Sequence, residues 1–206
     1  GKDGVLKQAQ LLQLPHGGYM HSFCASESKL VFVIAPIVPV RDAGSFFEGL
    51  GCRIFLDEKP AIASPVAELV QHYPIKSKHV IAHIRKATHG GIALENCHPF
   101  QRELWGRYWA FAHNGNLDDL VYEPGIYYRP VGQTDSEQAF CKILETLRQH
   151  FPLGKPPLDQ LYPVLNRITQ VLATAGIFNY LLSDGEHFFA HCTTKLCYIV
   201  RRSPFA

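Results

Sequence analysis

Charge is scarce in this chain. Lys, Arg, Asp and Glu make up 18% of its 206 residues, below the usual share of about 25%. The two signs nearly cancel, 20 basic against 18 acidic, leaving +2 at pH 7. No basic run is present to follow a phosphate backbone, so nucleic acid has no electrostatic case as a partner. Long hydrophobic runs are also missing. The longest, Leu30–Val40, is broken by Pro36 and Pro39. It falls short of the roughly 20 apolar residues of a membrane span, and the prolines oppose a helix. Methionine occurs once, at Met20, and no charged-then-apolar leader follows Gly1. None of the six cysteines forms a C-x-x-C pair. In a chain with its own core they read as free thiols in a reducing compartment, and the expected location is the cytoplasm. The nearest approach to a metal-ligand set is His187, His191, Cys192 and Cys197. It lacks the usual ligand spacing, so core cysteines and surface histidines are expected there, with no metal.

Hydrophobic residues are plentiful at 47%, enough to give one domain a real core. The pattern is uneven. From Val5 to Ala43 the only charges are Lys7, Glu27, Lys29, Arg41 and Asp42. Neither a helical nor a strand period persists there, although Leu30–Ile34 fits a buried strand. From Phe46 the order improves. Gly51–Leu56, His79–Ile84 and Tyr108–Ala112 read as strands. Ser64-Pro65 opens a helix, with serine as N-cap and proline at the first helical position. Val66, Leu69, Val70 and Tyr73 give that helix an apolar stripe, and Pro74 ends it.

Thr134 and Glu137 have capping-box spacing and open the clearest helix. Its buried face is Ala139, Phe140, Ile143, Leu144 and Leu147. A second long helix covers roughly Leu158–Ala175, its regular part starting near Tyr162 after Pro163 is allowed for. Leu161, Leu165, Ile168, Val171 and Leu172 point inward, and Gly176 is the stop. Phe178–Ser183, an Asp184-Gly185 turn and His187–Cys192 predict a hairpin, followed by a strand at Leu196–Val200. Strands, two helices and strands again imply an α+β fold with helices covering antiparallel sheet.

Three segments carry chemistry. His83-Ile84-Arg85-Lys86-Ala87-Thr88-His89-Gly90 follows one strand, and Ala112-His113-Asn114-Gly115-Asn116-Leu117 ends another. Gln133-Thr134-Asp135-Ser136-Glu137 starts a helix. Each has a plain alternative. Arg85 can be a surface arginine, Asn114-Gly115 a hairpin turn, and Thr134 or Asp135 a helix cap. Together and in this order they resemble the class II glutamine amidotransferase domain of the N-terminal-nucleophile hydrolases, from Phe46 to Ala206. The resemblance takes in Phe46-Phe47-Glu48-Gly49, Asn96-Cys97-His98-Pro99-Phe100, Glu103-Leu104-Trp105-Gly106 and Phe178-Asn179-Tyr180-Leu181-Leu182-Ser183-Asp184-Gly185. Within the class it is closest to the YafJ-type branch, whose relatives include γ-glutamyl amide hydrolases.

The resemblance implies a four-layer αββα sandwich of two antiparallel sheets between helices, incomplete at both ends. It implies a small-molecule γ-glutamyl substrate, no cofactor, and a partner subunit or a homo-oligomer. A guanidinium suits the substrate α-carboxylate because it offers two parallel charge-assisted bonds, and Arg85 fits, with Thr88 and His89 beside it. Asp135 fits the α-ammonium, and a helix N-terminus keeps a carboxylate ionised. Asn114, by its side-chain amide, and Gly115, by its backbone N–H in a tight turn, fit the oxyanion hole. Lys86 departs from the large aromatic that some such motifs carry.

The family nucleophile is a cysteine at the mature N-terminus, which forms a γ-glutamyl thioester. Gly1 has no nucleophile, and Cys24 would need cleavage after Phe23 to free its amine. Residues 1–45 are therefore expected to be an atypical segment, an insertion or a mis-spliced region, with the catalytic cysteine upstream. The end at Ser203–Ala206 is expected to be a truncation. The leading expectation is a glutamine amidotransferase-type hydrolase, inactive as the chain stands. The alternative is a non-catalytic γ-glutamyl-binding domain. A serine hydrolase built on Ser26-Glu27-Ser28-Lys29 lacks its partner motifs. The mature transcript is expected to lack codons 5–43; a message that keeps them rules out a retained intron.

Overall fold

The computed structural model describes residues 18–26, 29–36, 54–72, 77–84, 93–194 and 196–200. Two sheets are present. One has three strands in the order β1-β2-β7: Gly18–Ser26, Lys29–Pro36 and Leu196–Val200. The strand expected at Leu30–Ile34 lies within β2. β1 and β2 are antiparallel, while β2 runs parallel to β7, with Leu30 opposite Leu196 and Ile34 opposite Val200. That parallel pair corrects the expectation of purely antiparallel sheets. It is possible because most of the chain lies between the two strands and supplies the crossover that parallel pairing requires.

The second sheet is antiparallel in the order β3-β4-β5-β6: Phe100–Leu104, Arg107–Asn116, Ile177–Ser183 and Phe188–His191. β3 and β4 are joined by Trp105-Gly106, both at positive φ, 59° and 73°. Two such residues make the turn whose twist matches a hairpin. A bulky residue seldom accepts this conformation. Here the Trp105 indole N–H donates to the Phe151 carbonyl at 3.0 Å, and its ring meets Trp109 edge-on. The β5–β6 hairpin turns at Asp184-Gly185 as expected, with Gly185 at φ 84°.

Helix α1 (Pro65–His72) starts where the sequence places it, and Ser64 Oγ accepts from the Ala67 N–H at 3.2 Å. Its Leu69 and Val70 stay exposed, and Tyr73 and Pro74 lie outside the described residues. The other two helices form the core. In α2 (Asp135–His150), Thr134 Oγ1 accepts from the Glu137 N–H at 3.2 Å. Glu137 does not complete a capping box. Its buried carboxylate accepts instead from the Val131 and Gly132 N–H groups, at 3.0 and 2.7 Å, and pairs with Arg102. All five residues of the expected buried face are fully enclosed.

Helix α3 spans Leu158–Ala173, starting where expected, and it is helical through Pro163 rather than only from Tyr162. Val171 is exposed, against expectation. Leu161, Leu165, Ile168 and Leu172 define the buried stripe, and at 100° per residue Val171 lies about 90° off its centre. Gly176 follows at φ 152°, where a Cβ would enter the Asn116 carbonyl. Two expected strands are corrected. Residues 54–56 and 79–84 have no strand pairing, and 51–53 lie outside the described residues. An apolar run becomes a strand only where a ladder receives it. Residues 79–84 instead attach by side chains, with His79 Nδ1 2.8 Å from Ser183 Oγ on β5.

One sheet face meets the helices. Phe111 stacks on Phe140 at 5.1 Å, and Tyr180 Oη lies 2.8 Å from Thr169 Oγ1 of α3. Burying each such large apolar side chain contributes about 2–3 kcal/mol. On the opposite face β4 carries Tyr108, Ala110, Ala112, Asn114 and Asn116, with the two alanines at its centre, while β5 offers Ile177, Asn179, Leu181 and Ser183. No described helix is long and apolar enough to cross a membrane.

The β5–β6 turn is fixed by charge. Lys155 Nζ sits 2.5 Å from Asp184 Oδ2, 2.8 Å from Glu186 Oε2 and 3.1 Å from His187 Nδ1. Burial alone would raise the Asp184 carboxyl. The Lys155 ammonium and the His187 and Glu186 N–H groups outweigh it and hold the pKa low. A depressed carboxyl contributes stability above its unfolded pKa, about 3.9, and that stability is lost as pH falls through the folded value. Lys155→Met is expected to cost about 3 kcal/mol at pH 7, because it leaves a buried carboxylate unpaired. Urea unfolding should show the gap between variant and wild type narrowing at pH 3.

Candidate active site

Of the expected site residues, Asn114, Gly115 and Asp135 are described, and they lie together at the far end of β4. Asn114 and Gly115 are not in a turn, as the Asn-Gly pair had implied. They continue β4, opposite Asn179 and Phe178 of β5. An Asn-Gly step turns only when no ladder carries the chain onward, and here β5 pairs with β4 through Asn116.

This placement decides where the peptide groups point. In an antiparallel pair, alternate residues direct N–H and C=O toward the partner or away from it. The Phe178 N–H donates to Thr193 Oγ1 at 3.0 Å, on the β6 side. Its partner Gly115 therefore directs its own N–H away from β5, along with His113 and Phe111. On that edge Phe111 faces Phe100, where the β3 pairing begins. Beyond it the His113 carbonyl accepts from His83 Nε2 at 3.0 Å. The Gly115 N–H comes next along the same edge, past the end of β3. Gly115 is exposed, yet it tolerates no side chain. A Cβ there would overlap the Ile177 carbonyl and lie 2.7 Å from His113 Nε2.

Asp135 joins the same place from α2. Its Oδ2 accepts from the Leu117 N–H at 2.8 Å, two residues beyond Gly115. Thr134 is the N-cap, so Asp135 stands at the first helical position, half-buried, rather than serving as the cap. The loop between β4 and α2 is held at several points. Glu145 accepts from the Tyr127 and Tyr128 N–H groups at 3.0 and 3.1 Å, and Asn96 Oδ1 accepts from Gln133 N–H at 3.0 Å. Burial would raise the Glu145 carboxyl, but the N–H groups outweigh it and hold it low.

Arg85, Thr88 and His89 lie outside the described residues. The start of their motif is described, and His83 brings it onto the β4 backbone. Four buried motif residues that were given no part in ligand recognition, His113, Ser136, Asn96 and Glu137, brace the residues around the strand end. Their membership of the motifs was the only signal of this in the sequence.

The metal-like cluster does not form among the described residues. His187 bonds to Lys155, Cys192 lies buried beside Thr194, and Cys197 has only its backbone described. His191 packs against the Tyr180 ring, and burial pushes its imidazole down to about 4. Asp184, Glu186 and His187 do converge, but around the Lys155 ammonium.

The chain is similar to known proteins. Residues 43–206 match the family model for class II glutamine amidotransferases. YafJ of Escherichia coli (strain K12), named as a glutamine amidotransferase, is 49% identical over 161 residues, 78% of this chain and 63% of that protein. A glutamine amidotransferase by name from Haemophilus influenzae is 48% identical over 161 residues, 78% of this chain and 54% of its own length. The chain thus spans less than two thirds of either relative. A crystal structure from Pseudomonas aeruginosa PA01, titled as a glutamine amidotransferase, matches with TM-score 0.52 and 53% identity, over 54% of this chain and 44% of that one. The chain belongs to the class II glutamine amidotransferase family.

Proposed function

We propose that this chain carries the substrate-binding and oxyanion groups of a centre that cleaves the γ-amide of glutamine or of a γ-glutamyl compound. The observation that carries the reading is the strand end itself. The outward N–H of Gly115 and the carboxylate of Asp135 are tied together through the Leu117 N–H. A γ-glutamyl amide needs both a donor for the developing oxyanion and an anion for its α-ammonium. Asn114, one residue before Gly115, adds its side-chain amide to the oxyanion hole. Arg85, with Thr88 and His89, is assigned to the α-carboxylate. The face of small residues, Ala110 and Ala112, is where a second sheet would lie in a four-layer αββα sandwich, since small side chains allow sheets to approach.

The attacking group in this proposal is a cysteine with a free α-amine. Cys141 and Cys97 do not take that part. Burial pushes the Cys141 thiol up to about 11, and Cys97 donates to the Asp57 and Ala93 carbonyls at 3.6 and 3.4 Å. Residues 1–45 are assigned to an insertion in this proposal. With such a cysteine in place, attack on the γ-carbonyl would expel the amine and form the thioester, which water then hydrolyses.

Calorimetry on this chain should detect L-glutamine, with Asp135→Asn weakening it at least tenfold, the cost of an unpaired ammonium (about 1.4 kcal/mol or more). In a glutaminase assay on the full-length product, Asn114→Ala should cut kcat by roughly 10²–10³. Absence of glutamine binding would falsify the reading. Binding without turnover by a product that carries an N-terminal cysteine would favour a non-catalytic γ-glutamyl-binding domain.

A further inference from the structure

The buried histidine beneath the oxyanion strand has a defined proton arrangement. His113 Nε2 lies 3.0 Å from the Ile177 carbonyl, which can only accept, so Nε2 carries the hydrogen. Nδ1 lies 2.8 Å from Ser136 Oγ. In a neutral ring Nδ1 is an acceptor, so the single Ser136 hydroxyl proton is directed at His113. The same hydroxyl oxygen stands 3.5 Å from Asp135 Oδ1. The other Asp135 oxygen, Oδ2, is already taken by the Leu117 N–H at 2.8 Å. While His113 is neutral, Oδ1 is the oxygen left for a ligand.

Protonation reverses the chain. Nδ1–H would donate to Ser136 Oγ, and the hydroxyl proton would be released toward Asp135 Oδ1, 3.5 Å away. Oδ1 would then be shared between Ser136 and a ligand ammonium, which weakens its hold on the ammonium. The pair also lies directly under the strand end, since a Cβ on Gly115 would stand 2.7 Å from His113 Nε2.

We propose that His113 and Ser136 are positioning residues that tune ammonium recognition by Asp135, leaving Oδ1 without the Ser136 proton when the imidazole is neutral and giving it that competing donor when the imidazole is protonated. This rests on the γ-glutamyl reading of the site. The surroundings keep the neutral imidazole dominant near neutrality. Burial pulls the His113 pKa below its usual 6.5, against the opposing influence of the Ile177 carbonyl and the Asp135 charge. The groups facing the ring are Asp135 and Ser136 from α2, the Ile177 carbonyl and Phe178 from β5, and Phe111 along β4. His83 reaches the His113 carbonyl rather than the ring. Asp135 is the one titratable side chain among those ring-facing groups.

The test compares L-glutamine with 4-carbamoylbutanoate, which has the same γ-amide and carboxylate but no ammonium. Imidazole ¹⁵N shifts should show the Nε2–H tautomer of His113 and give its titration midpoint. Below that midpoint, glutamine affinity should fall by up to about tenfold per pH unit, the limit for one linked proton, while the deaminated analogue falls less. Ser136→Ala removes the relaying hydroxyl and should abolish this difference in slope. Ser136→Thr keeps the hydroxyl and should restore it. Circular dichroism confirms that each variant is folded. An Nδ1–H tautomer, equal slopes for the two ligands, or an unchanged difference in Ser136→Ala overturns the inference and leaves the reading of the site intact. If the wild-type chain binds neither ligand at pH 7.5, the γ-glutamyl reading itself fails and this inference falls with it.

Discussion

β4 is longer than the strand that flanks it. β3 pairs with β4 only as far as Phe111, whereas β5 accompanies it through Asn116. The peptide groups of His113 and Gly115 consequently face an edge that β3 does not occupy. A backbone group on such an edge must find another partner or meet a ligand. His83 takes the first position by its side chain, and the next lies at Gly115. The chemistry of the site follows from this mismatch in strand length, because it presents a rigid N–H from a central strand rather than from a loop.

The rest of the site is a set of polar ties to that strand. Asp135 comes from a helix start, but its carboxylate is fixed on the Leu117 N–H. Thr134 caps the helix, which leaves Asp135 free for that bond. Glu137 and Glu145 hold the intervening loop by its backbone N–H groups, and Asn96 holds the residue before the cap. Enclosed carboxylates are costly unless satisfied, so these bonds also fix the path of the loop. The helix core of Phe140, Ile143 and Leu144 against Phe111 and Tyr180 keeps both ends of the arrangement in register.

The charged turn at Lys155 shows how a ligand-type cluster can be filled from within. Two carboxylates and an imidazole converge there, as they would around a cation, and the cation is an ammonium of the chain itself. Lys155 precedes α3 and Asp184 follows β5, so the contact ties the α2–α3 connection to the sheet edge. Nothing in the spacing of those residues announces it.

Local chemistry in the sequence was enough for the helices and the hairpin. Thr134 as cap, the apolar stripes of α2 and α3, and Asp184-Gly185 all act within a few residues of themselves. The order of three short motifs was enough for the family. Strand pairing was less legible. Residues 79–84 look like a strand but hang from the sheet by His79 and His83, and Asn114-Gly115 looks like a turn but runs straight. The roles of His113 and Ser136 were not legible at all, since their bond spans 23 positions. The sequence by itself determined which groups are present and which family they belong to. The tertiary structure alone decided which peptide N–H faces outward and which carboxylate oxygen holds the Leu117 N–H. The first depends on where a neighbouring strand stops and the second on how α2 meets the end of β4, and no residue carries that information locally.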